Sequence, residues 1–251
     1  MHQKENNNQL IFGIRPIIEA IESGKEIDKV FVQRALSGDL FKSLFKLLRD
    51  KNIYYQFVPP QKLNSLTSKN HQGVVAYMAV VEYENIFNIV PSLYEKGKTP
   101  LIIVLDRVTD VRNFGSIART AECMGVDAIV IPSQGSAQIN SEAVKASAGA
   151  IYNMSICKHE NLKDVLDFLK ESGMQIVAAS EKTDKYIYDI PLKDGTVIIM
   201  GSEENGVSSE YLKRCNYTAK IPLIGKTGSY NVAVATGIVL YEVVRQRNTS
   251  S

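Results

Sequence analysis

The chain has 251 residues, of which 45% are hydrophobic and 22% charged, a composition typical of a globular protein with one large domain or a small and a medium one. Its 29 basic and 27 acidic residues give a formal net charge of +2, so the total charge does not indicate a nucleic-acid binder. The basic excess lies in residues 1–80, which hold 11 Lys and Arg against 7 Asp and Glu. This excess favours contact with a polyanion, although an ordinary solvated surface explains it equally well.

Cysteine and histidine are too sparse for a metal site or a disulfide framework. The three cysteines, Cys123, Cys157 and Cys215, are far apart and form no CxxC pair, and the chain has three histidines. We therefore expect no bound metal and no disulfide. The first residues lack the apolar stretch of a secretory signal, and no run of about 18 apolar residues predicts a membrane span. The sequence predicts a soluble, cytoplasmic protein.

The first third of the chain alternates between helical and strand patterns. Residues 1–9 are polar and predict a flexible tail. Residues 10–81 predict a compact α/β unit. Its expected elements are a helix over 14–23 that Gly24 ends, a strand over 27–33, a helix over 40–51, and strands over 53–58 and 73–80.

Residues 82–99 interrupt this alternation. Pro91 and Gly97 lie there among charged residues, and Pro100 follows directly. Such residues are typical of connecting segments, and we predict a linker with room for a short helix.

A second α/β unit is predicted over residues 100–251. Apolar runs such as "LIIVL", "AIVIP" and "TVIIM" are typical of buried parallel strands, and helical patterns separate them. Strand–loop–helix units in series predict a parallel sheet with helices on both faces. Ligands of such sheets bind at the carboxyl ends of the strands. The chemistry is therefore expected in the loops that follow Asp106, Pro132, Met200 and Ile221.

One partial motif points to nucleotide hydrolysis but fails on inspection. Gly225, Lys226 and Thr227 match the last three positions of a phosphate-binding P-loop, but Lys220 stands where the first glycine is required. The segment "GSEENGVS" has two suitably spaced glycines but carries Val207 in place of the lysine. No GxGxxG follows a strand, so neither a nucleotide hydrolase nor a dinucleotide-binding protein is predicted.

Polar residues in three separate loops are candidates for a site. Asn113 lies at the start of the helix predicted over 113–124. Arg119 lies nearly two turns into it, and its long side chain could reach back towards the loop. Alternatively, Asn113 is only an N-cap and Arg119 an exposed helix residue. Glu203 follows a strand in a tight loop, which would equally suit a solvated acid.

The third loop precedes the helix predicted over 231–247. Ser229 and Asn231 flank Tyr230 there, and the backbone groups at this helix start could hold a polar ligand. The alternative is an ordinary capping segment.

The order of these three motifs is more specific than any one of them. Asn-x-Gly-x-x-x-Arg, Met-Gly-x-Glu-x-x-Gly and Ile-Pro-Leu…Gly-Ser-x-Asn-Val-x-Val-Ala together resemble the motifs of the SpoU/TrmH family, the SPOUT-type RNA ribose 2′-O-methyltransferases. The resemblance covers residues 100–247. In addition, "IFGIRPIIEAIESG", "IDKVFVQ" and "HQGVVA" resemble the L30e-like substrate-binding domain of the RlmB branch, whose members methylate a guanosine ribose in large-subunit (23S) rRNA.

The resemblance implies a fold, a cofactor and site residues. It implies an α/β parallel-sheet domain with a deep trefoil knot over 100–251, an L30e-like RNA-binding domain over 10–81, S-adenosylmethionine as cofactor, and a homodimer through the C-terminal helix. The implied catalytic residues are Asn113, Arg119, Glu203, Ser229 and Asn231. The implied cofactor-binding residues are Gly201, Ile221, Leu223 and Tyr230. Candidates for phosphate contacts in the N-terminal domain are Arg15, Lys42, Lys46, Arg49 and Lys69.

Two departures from the family pattern leave alternatives open. Tyr230 stands where the family usually has leucine, and Ala233 where it usually has serine. A catalytically inactive, knotted RNA-binding protein is therefore one alternative. The other is a tRNA ribose 2′-O-methyltransferase, which the long N-terminal domain disfavours.

Overall fold

A computed structural model describes residues 10–248 of the chain, and the predicted tail over residues 1–9 lies outside them. The chain divides into two compact units, with the boundary between Glu82 and Tyr83.

The N-terminal unit is a four-stranded mixed sheet with helices on both faces. The strand order is β1-β4-β2-β3, in which β2 and β3 are parallel and the other pairs are antiparallel. The elements are β1 (Leu10–Phe12), α1 (Ile14–Glu22), β2 (Ile27–Gln33), α2 (Asp39–Asp50), β3 (Tyr55–Val58), α3 (Pro60–Leu66) and β4 (Val74–Met78).

Alternation along the central strand β2 divides the core of this unit in two. Val30 and Val32 lie on one face with Ile17 of α1 and Leu44 of α2. Phe31 lies on the other face in a smaller cluster with Leu63 of α3, Val58 and Val75. Successive side chains of a strand point to opposite faces, so a single strand supports both clusters.

The C-terminal unit is built on seven parallel strands in the order β11-β9-β10-β6-β7-β8-β5. The strands are β5 (Tyr83–Glu84), β6 (Leu101–Leu105), β7 (Ala128–Pro132), β8 (Ser155–His159), β9 (Gln175–Ala179), β10 (Thr196–Met200) and β11 (Tyr217–Ala219). The helices are α4 (Ile86–Glu95), α5 (Val111–Cys123), α6 (Ser141–Ala146), α7 (Leu162–Glu171), α8 (Ser209–Leu212) and α9 (Val232–Asn248), with single 3₁₀ turns at Ala150–Asn153 and Ile187–Asp189.

The parallel sheet predicted from the apolar runs is confirmed. All five residues of β6, of β7 and of β10 are buried, as expected of strands covered on both faces. The two-residue edge strand β5 and the strands β8 and β11 carry polar residues and were not predicted from the sequence.

Residues 83–99 of the segment expected to be a linker are instead part of the C-terminal unit. β5 pairs with β8, and α4 buries Ile86, Val90 and Leu93 in the main core. Their spacing places these three side chains on one helical face. Pro91 lies inside α4, where the burial of this face outweighs the backbone hydrogen bond that a proline removes.

Helix α5 starts two residues earlier than predicted. Asp110 is its N-cap, and its carboxylate accepts a hydrogen bond from the backbone N–H of Asn113 at 2.7 Å. Asn113 is therefore not the N-cap, and its side chain is available for other contacts. Gly115 lets α5 approach α6 closely, because a Cβ there would lie 2.6 Å from both the Ala143 carbonyl oxygen and the Ala146 Cβ.

No helix among residues 10–248 is long and apolar enough to cross a membrane. Over the same residues, no group of three or more His, Cys, Asp and Glu side chains is arranged to hold a metal ion.

His159, at the end of β8, makes the stability of the folded protein depend on pH. Its ring packs edge-on against Phe87 at 5.4 Å between centroids, and its Nε2 is buried without a hydrogen-bond partner in the described part of the chain. Burial lowers the pKa of His159 below 6.5.

We predict that the wild-type protein loses more stability than His159→Leu as the pH falls from about 7.5 to about 5, because the unfolded chain then binds a proton that the folded chain resists. Chemical denaturation at both pH values measures this difference. Parallel losses in the two proteins would contradict the role given to His159.

Candidate active site

A cavity of about 360 Å³ opens at the carboxyl ends of β9, β10 and β11, within the size range of small-molecule sites. Four stretches of chain line most of it: residues 179–182, 200–206, 219–221 and 228–230. The sheet thus provides the site where parallel α/β folds bind ligands, after the strand ends.

The loop after β10 turns so tightly that it requires glycine. A Cβ at Gly201 would lie 2.1 Å from the backbone carbon of Gly206, so no side chain fits there. Gly206 adopts a φ of +64°, and its N–H donates to the carbonyl of Ser202 at 2.9 Å. This turn presents Glu203 at the cavity wall.

Asp106, directly after β6, anchors the loop that follows β10. Its carboxylate is 2% exposed and accepts hydrogen bonds from the backbone N–H and the hydroxyl of Ser208, both at 2.6 Å. Arg107 donates from Nε to the same carboxylate at 2.8 Å and from Nη2 to the carbonyl of Gly206 at 3.1 Å. The hydrogen bond to Asp106 raises the pKa of Arg107. Sequence reasoning placed ligand chemistry after Asp106 but did not identify this anchor.

The three predicted motifs meet in a network of three side chains. Asn113 donates from Nδ2 to Glu203 Oε1 at 3.1 Å, and Asn231 donates from Nδ2 to the same oxygen at 2.8 Å. Asn231 Nδ2 also lies 3.0 Å from Asn113 Oδ1. Residues more than a hundred positions apart in the chain thus share one carboxylate oxygen.

Asn231 performs two tasks at once. Its Oδ1 accepts the backbone N–H groups of Ala233 and Val234 at 3.0 and 3.4 Å, which caps the start of α9. Its Nδ2 makes the contacts with Glu203 and Asn113. The capping role weighed as an alternative for this residue therefore coexists with a place in the site.

The other cavity candidates lie where the motifs predict them. Ser229, Gly201, Ile221, Leu223 and Tyr230 all line the cavity. The Tyr230 hydroxyl donates to the carbonyl of Pro222 at 3.0 Å, inside the same loop. The unusual tyrosine therefore braces the loop through its hydroxyl.

Arg119 is not brought to this network within one chain. Its side chain is exposed and does not line the cavity. Six residues along a helix correspond to a rotation of about 240°, so Asn113 and Arg119 point away from each other. The expectation that Arg119 reaches back to the loop is wrong for the single chain.

The five candidates for phosphate contacts all lie on the exposed surface of the N-terminal unit. Lys42, Lys46 and Arg49 lie on α2, Arg15 lies on α1, and the Nζ of Lys69 lies 5.2 Å from the ring centroid of Phe12.

Comparison with known proteins identifies the family. Residues 100–241 match the SpoU rRNA Methylase family, and residues 10–84 match the family described as RNA 2′-O ribose methyltransferase substrate binding. The chain belongs to the SpoU methylase family. As a member, it is an S-adenosylmethionine-dependent RNA methyltransferase, and the family and cofactor predicted from the motifs are confirmed.

Relatives match over nearly the whole length. A protein of Staphylococcus saprophyticus assigned to the TrmH family of tRNA/rRNA methyltransferases is 34% identical over 95% of this chain and 96% of its own. The SpoU methyltransferase AviRb of Streptomyces viridochromogenes, solved with its cofactor AdoMet, has a TM-score of 0.62 and 26% identity over 96% of this chain and 91% of its own. A TrmH/SpoU tRNA-modifying enzyme of A. aeolicus has a TM-score of 0.55 and 31% identity over 64% of this chain and 84% of its own.

The cavity suits the cofactor of the family. S-adenosylmethionine carries a sulfonium and an ammonium cation beside a carboxylate, and the cavity wall offers both charges: Glu181, Glu203 and Glu204, with Lys182 and Lys220.

We predict that Asp106→Asn lowers the free energy of unfolding by about 1.5–3 kcal/mol, because the amide turns one acceptor towards Ser208 and Arg107 into a donor. Affinity for S-adenosylmethionine should fall as well, since the anchored loop lines the cavity. Urea denaturation and calorimetric titration measure the two effects.

Asp167→Asn is the matched control. Asp167 also pairs with an arginine at 2.8 Å, Arg214, but both side chains are partly exposed. The substitution Asp167→Asn should lower the free energy of unfolding by at most about 1 kcal/mol and leave cofactor binding unchanged. Equal losses in the two variants would refute the anchoring role of Asp106.

Proposed function

We propose that this protein transfers a methyl group from S-adenosylmethionine to the ribose 2′-hydroxyl of a guanosine in 23S rRNA, in the cytoplasm. The observation that carries the proposal is the meeting of Asn113, Glu203 and Asn231 beside a cavity lined by Gly201, Ile221, Leu223, Ser229 and Tyr230. These are the residues that the family motifs single out.

For methyl transfer, the protein must align the ribose hydroxyl with the methyl group and help to remove the hydroxyl proton. S-adenosylmethionine supplies an already electrophilic methyl group, whereas a ribose hydroxyl is a weak nucleophile. Glu203, held at one oxygen by two amide N–H groups, would orient the ribose, with Asn113 and Asn231 fixing its rotamer. Ser229 would shape the opposite wall of the cavity.

Arg119 would act on the reacting hydroxyl from a partner subunit. It lies on the exposed side of α5, and α5 packs against α9. A guanidinium has a pKa above about 12 and is a poor base. Its role would be to orient the adjacent phosphate and stabilise the developing alkoxide.

We propose a homodimer formed through α9. Val234 and Tyr241 are 53% and 60% exposed on this helix and lie seven residues apart, so they share one face. An apolar surface of this kind is typical of an interface between copies. The dimer would also supply the Arg119 that each site lacks within its own chain.

We also propose the trefoil knot of the family. After β11, at one edge of the sheet, the chain passes the carboxyl ends of β9 and β10 along the cavity before α9 packs on α5. This path over the central strands supports a C-terminal segment drawn through the loop after β10.

The choice of rRNA over tRNA is supported by the extent of the matches. An rRNA methyltransferase of Sinorhizobium meliloti, with a TM-score of 0.61 and 25% identity, covers 97% of this chain. The tRNA-modifying enzyme of A. aeolicus covers only 64%. We further propose that Arg15, Lys42, Lys46, Arg49 and Lys69 contact RNA phosphates.

Val234→Glu should convert the dimer into monomers, because it places a charge in the apolar interface. Sedimentation velocity measures the change, and circular dichroism verifies that the fold is kept. Leu40→Glu, a similar exposed substitution on α2, should remain dimeric. A monomeric wild-type protein would overturn the dimer.

Arg119→Ala should reduce methyl transfer to RNA by at least about 100-fold while S-adenosylmethionine still binds, because the alkoxide loses its cationic partner. Radioactive methyl incorporation and calorimetry measure the two quantities. Arg112→Ala is the control: Arg112 lies on the same helix and pairs with Glu142 at 2.7 Å, and its loss should leave transfer unchanged.

The substrate itself is tested in cells. Nucleotide-resolution mapping of 2′-O-methylation in total RNA from a deletion strain should show one guanosine lost from 23S rRNA and restored by the wild-type gene. Loss from a tRNA instead would establish the tRNA alternative. A wild-type protein without any heat of S-adenosylmethionine binding would establish the inactive, RNA-binding alternative.

A further inference from the structure

Four aromatic rings meet at one edge of the N-terminal unit. Phe45 of α2 lies 5.8 Å from Phe41, 5.1 Å from Tyr55 and 6.3 Å from Phe57, measured between ring centroids. Tyr55 and Phe57 of the edge strand β3 lie 5.7 Å apart. We call these four residues the aromatic surface.

The aromatic surface is only partly used by the core. Phe41 and Tyr55 pack against the buried cluster on one side, whereas Phe57 is 43% exposed. Phe57 faces the same side of the sheet as Tyr55 because Gln56 separates them. Apolar rings are therefore left accessible at the sheet edge, where a charged residue would be the usual protection.

A basic stripe runs beside these rings. Lys42, Lys46 and Arg49 follow one another at spacings of four and three residues, so they lie on one face of α2, and all three are exposed. Helical geometry places this face about 60–100° from the Phe41–Phe45 row. Lys42 pairs with Asp39 at 3.1 Å, but both side chains are largely exposed, so a phosphate can replace this contact at little cost.

We propose that the aromatic surface stacks unpaired bases of the RNA substrate while the basic stripe contacts the flanking phosphates. The inference rests on the proposed function and extends it to the kind of RNA that is recognised. Rings beside a row of cations are complementary to single-stranded nucleic acid, which offers both a π-face and a charge at every nucleotide. The bases of a duplex are stacked on each other and offer no such face.

The basic residues beside the aromatic surface favour RNA over a protein as its partner. An apolar interface with another protein would be depleted of lysine at its centre. Here three basic side chains border the rings on one helix, in the unit that carries the basic excess of the chain. The match of residues 10–84 to an RNA substrate-binding family agrees with this choice.

The test uses the full-length protein and a single-stranded adenosine oligonucleotide that carries one 2-aminopurine. Stacking should quench the 2-aminopurine fluorescence on binding. Phe57→Leu should weaken binding about 5- to 150-fold and abolish the quenching, because leucine keeps the apolar contact but has no ring. Phe57→Tyr should retain both.

Three further variants probe the surroundings of the Phe57 ring. Leu40→Ala removes a comparably exposed apolar side chain from α2 and should bind normally. Lys46→Ala should reduce the slope of log affinity against log salt by about 0.7, as expected for one phosphate contact on a single strand. Lys62→Ala, on α3 at the opposite face of the sheet, should leave the slope unchanged.

The outcomes separate this inference from the proposed function. Base stacking is overturned if Phe57→Leu binds and quenches the probe as the wild-type protein does. It is also overturned if this variant loses equal affinity for the oligonucleotide and for its duplex with an oligouridine strand. Normal RNA binding together with loss of a co-purified protein in Phe57→Leu assigns the surface to a protein and also overturns it. A wild-type protein that binds and quenches the probe but transfers no methyl group refutes the proposed function and leaves the stacking surface in place.

Discussion

The buried carboxylate of Asp106 is the interaction on which the site depends. It lies at the end of a strand whose five residues are all buried, so its position is fixed by the rigid sheet. Hydrogen bonds to Ser208 and the bridge through Arg107 transmit that position to the loop of Glu203. Without a partner, a carboxylate in this place would be strongly unfavourable, so the loop and its anchor are stable only together.

Much of the C-terminal unit follows from its sequence because burial there is nearly complete. Strands β6, β7 and β10 consist of uninterrupted apolar runs, and no other arrangement satisfies both their backbone and their side chains as well as a covered parallel sheet. Strands β5, β8 and β11 escape prediction because their polar residues depend on pairing with a neighbour. The helix α4 was obscured by Pro91, whose local cost is overcome by tertiary packing.

The grouping of the three motifs was predictable from the sequence, but their side-chain contacts were not. Motif order along the chain placed Asn113, Glu203 and Asn231 in one site, and the side chains meet. The six-residue spacing of Asn113 and Arg119 places them about 120° apart around a helix, so the outward direction of Arg119 was open to prediction once both residues were assigned to α5. Asp110, three residues ahead of the expected helix start, caps α5 and places both residues inside it.

Asn231 couples the first turn of α9 to the position of the Glu203 carboxylate. One amide oxygen holds the first turn of α9 while the amide nitrogen of the same group holds Glu203. Fraying of that first turn would remove one of the two amide N–H groups that hold Glu203, so thermal motion at the helix end would loosen this carboxylate. An aspartate could still cap the helix, but it would set two anions face to face, which restricts this position to the amide.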